Sequence, residues 1–148
     1  MKVVIASDHG GYQLKEELKA FIAELGHEVA DYGAHTQDPV DYPDFAFLVA
    51  EAVAAGAADR GVMIDGIGAA SAIVANKVPG IRAASCSDTF TAAMSRAHND
   101  ANVLTLGARV IGSGLAREIV KVWLAAEFEG GRHMRRVSKV LDFEARYL

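Results

Sequence analysis

Residues 61–68 read Gly61-Val62-Met63-Ile64-Asp65-Gly66-Ile67-Gly68, an apolar run that ends on an acid and a glycine-containing turn. Gly61 to Ile64 has no alternation of apolar and polar residues, the pattern of a strand buried on both faces. A helix through about Asn76 follows the turn. The same strand-then-helix unit recurs on either side. Upstream, Val3 to Ala6 is β-branched and apolar, Gly10-Gly11 interrupts it, and Leu14, Leu18, Phe21, Ile22 and Leu25 then share one helical face. Gly26 stands where a left-handed helix cap is expected, and His27 to Tyr32 reads as the second strand. The stretch from Gly33 to Asp44, with Pro39, Pro43 and several aspartates, reads as a loop before a helix from Phe45 to Ala55.

Downstream, Ile81 to Cys86 reads as strand four. Asp88 then caps a helix from Thr89 to about His98. Val103 to Leu106 supplies the fifth strand, and Leu115, Ile119, Val122 and Ala126 line the next helix. The segment from about residue 127 to 148 breaks at Gly130-Gly131 and resumes a helical pattern with no strand to pair with. Five strand–helix units predict one doubly wound domain over residues 1–148: a three-layer α/β/α sandwich around a five-stranded parallel, Rossmann-like sheet, with a C-terminal helical tail. Strand order is not readable from the pattern. In such sheets ligands sit outside the carboxyl ends of the strands, here Ser7-Asp8-His9, Asp65 to Gly68, Ser87-Asp88 and Gly107 to Arg109.

Composition narrows the class. The 148 residues are 51% hydrophobic and 23% charged, as in globular domains, and the net charge of -4 argues against a general nucleic-acid binder. The opening MKVVIASDHGG is too short an apolar run for a signal peptide or membrane span, and no other segment does better. The single Cys86 allows no internal disulfide and sits in an apolar run, so a reducing, cytoplasmic setting is expected.

Asp8-His9 fits a capped turn as well as an aspartate orienting an imidazole for acid–base work. His98 closes a helix, where a protonated imidazole also serves as a plain stability device. Gly66 and Gly68 open a helix after a buried strand, so their amides can approach an anion such as a phosphate or enediolate. GIGAAS falls one glycine short of the dinucleotide fingerprint and stands in the third unit rather than the first, which disfavours a nicotinamide cofactor. Arg132 and Arg136, four apart, present both guanidinium groups on one helix face, suited to a phosphate. The Gly130-Gly131 pair before them reads as a hinge.

Taken together, SDHGGYQLKEEL, VDYPDFA, ANKVPGIRAA, RAHNDANVLTLGARVIG and FEGGRHMRRV resemble the blocks of the ribose-5-phosphate isomerase B family, which includes galactose-6-phosphate and allose-6-phosphate isomerases. The resemblance covers nearly the whole chain. It implies an aldose–ketose isomerase of a phosphorylated sugar that uses no metal or other cofactor and passes through an enediolate. By that resemblance Asp8, His9 and Asn99 contact substrate, His98 opens the sugar ring, and Arg109, Arg132 and Arg136 bind phosphate. It also implies a homodimer with the site shared between subunits and the tail packing on the partner, with further pairing to a tetramer left open.

One motif departs from the family. Where CGTGIGMS is usual, this chain has Asp65 to Ala72, so the expected catalytic cysteine is Asp65 and a threonine tied to ring opening is Ile67. Some relatives use a glutamate at the position of Ser71, which is no base unaided. An aspartate is ionised but weakly basic at neutral pH, with helix amides and burial pulling its basicity in opposite directions. Two roles stay open for Asp65: the proton-transfer base, or a capping or hydroxyl-binding group in a protein of altered chemistry. A non-catalytic sugar-phosphate binder also remains open.

Overall fold

The computed structural model describes residues 1–148. Its strands are β1 (Lys2–Ser7), β2 (Glu28–Asp31), β3 (Arg60–Asp65), β4 (Ala83–Ser85) and β5 (Val103–Gly107). The helices are α1 (Tyr12–Glu24), α2 (Tyr42–Ala54), α3 (Ala69–Ala75), α4 (Thr89–Ala97), α5 (Ser113–Ala125) and α6 (Arg132–Ala145). All pairings are parallel, in the order β2-β1-β3-β5-β4. The chain therefore winds outward from β1 to β2, returns to lay β3 on β1's other side, and later inserts β5 between β3 and β4. That reversal opens a crevice at the carboxyl ends of β1 and β3, where a parallel sheet binds its ligand.

Alternation along each strand builds the two outer layers. Val3 and Ile5 of β1, Val62 and Ile64 of β3, and Leu104 and Leu106 of β5 pack with Leu18 and Ile22 of α1 and Ile119 and Trp123 of α5. Val4, Ala6, Met63 and Val103 point the other way, onto Ala46, Val49 and Ala50 of α2 and Ala75 of α3. Both faces are dry, as the unalternating run at 61–64 requires. No helix is long and apolar enough to cross a membrane.

Three boundaries differ from the sequence expectation. α2 begins at Tyr42, not Phe45, because Pro43 lies in its first turn, where the missing N–H would have no partner anyway. β4 is only Ala83–Ser85, since side chains take over at its start: Arg82 N–H donates to Asn102 Oδ1 (2.8 Å) and Ala83 N–H to Asn76 Oδ1 (2.8 Å). β2 is likewise shorter than His27 to Tyr32, although Tyr32 N–H still donates to the Ile5 carbonyl (2.9 Å). The left-handed Gly26 (φ 95°) and the Asp88 cap on Thr91 N–H (2.6 Å) are as expected.

The loop from Gly33 to Asp41 is strapped to the end of β1. Ser7 N–H donates to the Gly33 carbonyl (2.7 Å), and Ala34 N–H donates to the Ser7 carbonyl (2.8 Å). Beneath the strap lies Lys15, fully buried, whose Nζ donates to Asp31 Oδ1 (2.8 Å), Asp31 Oδ2 (2.9 Å) and the Ala34 carbonyl (2.7 Å). Lys19 adds a further contact to Asp31 Oδ2 (2.8 Å). Burial pushes the Asp31 carboxyl up, but the hydrogen bonds from Lys15, Lys19 and the Gly33 amide outweigh it and hold the group down at about 2.

Candidate active site

The sequence-derived residues fall into two groups on the chain. The first lies along the carboxyl edge of β1, β3 and β5. Asp8 is buried; its N–H donates to the Ile64 carbonyl (3.2 Å) and its Oδ1 accepts from Gly11 N–H (3.1 Å). Gly11 must be glycine, because a Cβ there would meet the Ile64 carbonyl oxygen at 2.4 Å. His9 is exposed, with Nδ1 lying 3.2 Å from both the N–H and the carbonyl of Val40, so its ring ties the strapped loop to the site.

Asp65 ends β3 almost fully buried, at 2% exposure. Its Oδ1 accepts from the amides of Ile67 (2.8 Å) and Gly68, and its Oδ2 accepts from the amide of Ser71 (2.8 Å) and from the Ser71 hydroxyl. An ionised carboxylate offers about four acceptor positions, and all four are taken. The turn amides thus cradle an anion as the glycine pattern suggested, but the anion is the chain's own carboxylate. The Gly68 amide, expected at a ligand, is engaged with that carboxylate. Gly68 has φ 81° and no room for a side chain, since a Cβ would sit 2.8 Å from Ser85 Oγ.

The turns after β3 and β5 brace each other. Ala108 N–H donates to the Asp65 carbonyl (2.8 Å) and Arg109 N–H to the Gly66 carbonyl (3.0 Å). A Cβ on Gly66 would lie 3.7 Å from Arg109 Cδ, in ordinary van der Waals contact, which places the Arg109 arm over the turn. Ile67 projects from the same turn into solvent at 59% exposure.

The second group surrounds His98, the residue after α4. Its N–H donates to the Met94 carbonyl (2.8 Å), and its ring stacks face to face on that of His133, with centroids 4.1 Å apart and planes 6° from parallel. Glu129 Oε2 lies 3.9 Å from His98 Nε2. A cavity of about 840 Å³ opens here between α6 and the segment 76–83, lined by His98, Asn99, His133 and Arg136 among others. Arg132 starts α6 and is exposed. None of Asp8, His9, Asp65, Gly66, Gly68 or Arg109 lines this cavity. Within one chain the two groups stay apart.

Sequence reasoning missed three contributors: Ser71 as the partner of Asp65, and Glu129 and His133 as the neighbours of His98. Ser71 was findable, because an acid just ahead of a helix commonly takes that helix's first-turn donors. The His133 stack depends on a chain reversal at Gly130 and Gly131 that spacing does not reveal. His133, largely buried, is held below the ordinary histidine range first by burial and then by the charges of His98 and Arg132, with Glu129 opposing and Arg136 adding to the fall.

Comparison with known proteins agrees with this architecture. Residues 3–140 match the model of the Ribose/Galactose Isomerase family. The chain is 47% identical over 145 residues to ribose-5-phosphate isomerase B of Escherichia coli, covering 98% of this chain and 97% of that one. It is 42% identical over 146 residues to D-erythrulose-4-phosphate isomerase of Pectobacterium atrosepticum, covering 97% and 95%. The structure of Clostridium thermocellum ribose-5-phosphate isomerase B superimposes over 100% of both chains, with a TM-score of 0.98 at 55% identity. With a matching family model over most of its length, and end-to-end likeness in sequence and fold, the chain belongs to the ribose/galactose isomerase family.

Proposed function

We propose that this protein interconverts an aldose and a ketose of a phosphorylated sugar, as a homodimer whose two sites each combine the sheet edge of one subunit with the His98 group of the other. The observation that carries the reading is the division of the site residues. One group holds an acid at the end of β3 beside Arg109, the other holds His98, Asn99, Arg132 and Arg136, and the cavity beside His98 contains none of the sheet-edge residues. A second copy would join them. Apolar residues left in solvent beside each group, Ile67 and Val110 on the edge and Met134 and Val140 on α6, suit a surface that such a copy covers.

In this reading the arginines fix the phosphate and Asp8 and Asn99 the sugar hydroxyls, while His98 moves protons on and off the sugar oxygens, in ring opening where the substrate is cyclic and between the two enediolate oxygens in every case. Asp65 takes the proton from the carbon beside the carbonyl. The released electron pair forms the enediolate double bond and charge collects on the former carbonyl oxygen; His98 protonates that oxygen and takes the proton of the neighbouring hydroxyl, and Asp65 returns its proton to the former carbonyl carbon as the new carbonyl forms. To accept that proton Asp65 must release one of its four donors. The Ser71 hydroxyl is the one that can rotate away, because the other three are backbone amides fixed by the turn.

The substrate is of the ribose 5-phosphate type or a related tetrose or hexose phosphate, and the site carries features that bear on its size. Ile67 offers an apolar surface where a hydroxyl-bearing residue would assist ring opening, and a four-carbon sugar phosphate has little cyclic form to open. The likeness to a D-erythrulose-4-phosphate isomerase fits a four-carbon sugar, whereas His98 and the higher identity to ribose-5-phosphate isomerase B favour a five-carbon one. Turnover across four-, five- and six-carbon aldose and ketose phosphates decides between them, with preference for ribose 5-phosphate counting against the four-carbon sugar. Asp65→Asn should lower turnover about 10²–10⁴-fold while sugar-phosphate binding survives, measured by calorimetry.

The saturated carboxylate of Asp65 favours a second reading, a sugar-phosphate binder without turnover. Tight binding, with no exchange of substrate carbon-bound hydrogen in deuterated water over the full panel, would establish it in place of the first.

A further inference from the structure

We propose that His133 is a positioning residue for His98: its ring, stacked on the imidazole of His98, fixes the plane in which that imidazole meets substrate and turns its Nε2 edge toward Glu129. The proposal rests on the isomerase reading for its effect on catalysis, but its structural half stands without it.

His98 needs such a device. It follows the last residue of α4, it is half exposed, and rotation of a histidine ring about its last side-chain bond has only broad preferences. Left alone, the ring would sample many planes. Stacking at 4.1 Å and 6° removes most of that freedom, because any large rotation of His98 would drive its edge into the His133 face. Glu129, 3.9 Å from Nε2, gives the remaining orientation a direction and adds an ion pair whenever His98 is protonated.

The linker between α5 and α6 is built to deliver both neighbours. Glu129 N–H donates to the Ala97 carbonyl (3.0 Å), pinning the linker to the end of α4. Gly130 and Gly131 then take φ 68° and 55°, a reversal that other residues enter only with strain. His133 N–H closes the turn on the Gly130 carbonyl (3.0 Å). One side of the reversal supplies the carboxylate, and the other supplies the ring.

The surroundings of His133 favour its neutral form. Burial, with Arg132 and Arg136 on the same helix and His98 opposite, favours the neutral form of His133 over the opposing pull of Glu129. A neutral His133 can lie against His98 without adding a positive charge to the stack.

The test compares His133→Ala with His133→Phe, which keeps an aromatic face and loses both nitrogens. In the free protein, proton NMR of His98 should show an upfield ring-current shift that is lost in the alanine variant and largely kept in the phenylalanine variant. On whichever sugar phosphate the wild type turns over, His133→Ala should lower kcat about tenfold or more with KM within about twofold, and His133→Phe should restore most of kcat. Unchanged His98 resonances in His133→Ala would overturn the stack. A rise in KM with kcat intact would overturn the positioning role and point to displaced arginines on α6. If the wild type turns over none of the panel, the isomerase reading is what fails, and the NMR comparison alone decides whether His133 orients His98.

Discussion

Asp65 organises a turn and, in the proposed mechanism, also moves a proton. Its four hydrogen bonds hold the Asp65–Ser71 segment together, and three of them come from amides that the fold cannot withdraw. Only the Ser71 hydroxyl is adjustable, so Ser71→Ala separates the two tasks. The variant keeps all three amide bonds and frees one position on Oδ2. It should cost about 1 kcal/mol of stability, the usual net worth of one hydrogen bond, measured by urea denaturation. Its kcat should hold at or above the wild-type value if Asp65 is the base, since the step of releasing the hydroxyl is gone. A loss of turnover as large as that of Asp65→Asn would instead mean that the hydroxyl itself takes part.

At the scale of elements, the pairing of α1 with β2 through Lys15, Lys19 and Asp31 links stability to pH. Asp31 is held at about 2, below its ordinary 3.8, so folding favours the ionised form. The contribution is complete above about pH 4 and is lost as pH falls toward 2, roughly 2 kcal/mol at about 1.4 kcal/mol per pK unit. Urea midpoints recorded between pH 2 and 6 should show this acid limb, and Asp31→Asn should flatten it while lowering stability at neutral pH, since Lys15 stays buried with one partner fewer. Which elements could be read from sequence follows from the range of the forces that make them. β3 was legible because burial on both faces writes an unbroken apolar run, and the α4 cap because Asp88 bonds an amide three residues on. The start of α2 was obscured because Pro43 signals a loop as well as a first helical turn. β4 was overread because Asn76 and Asn102 come from elsewhere in the chain to take the backbone donors at its start. The sheet-edge half of the site was legible for the same local reason as β3, whereas the stack on His98 arises from a tertiary reversal and was not.

For the whole molecule, the separation of the two residue groups ties the proposed dimer to catalysis as well as to assembly. If each site takes Asp65 from one subunit and Arg136 from the other, the two defects can be placed in different sites of a hybrid. In a dimer of one Asp65→Asn chain and one Arg136→Ala chain, one site carries both substitutions and the other carries neither. Random exchange makes half of all dimers hybrids, each with one intact site of two, so an equal mixture should recover about a quarter of wild-type turnover. Each variant alone should recover almost none. The measurement is turnover before and after the chains are unfolded together and refolded, with gel filtration to show that dimers re-form. Recovery is expected only after refolding together, because chains that never exchange keep both defects paired. Refolded dimers with no recovered activity would mean that Asp65 and Arg136 serve the same site from one chain. The gap between the sheet edge and the cavity would then have to close by movement of α6 within the subunit.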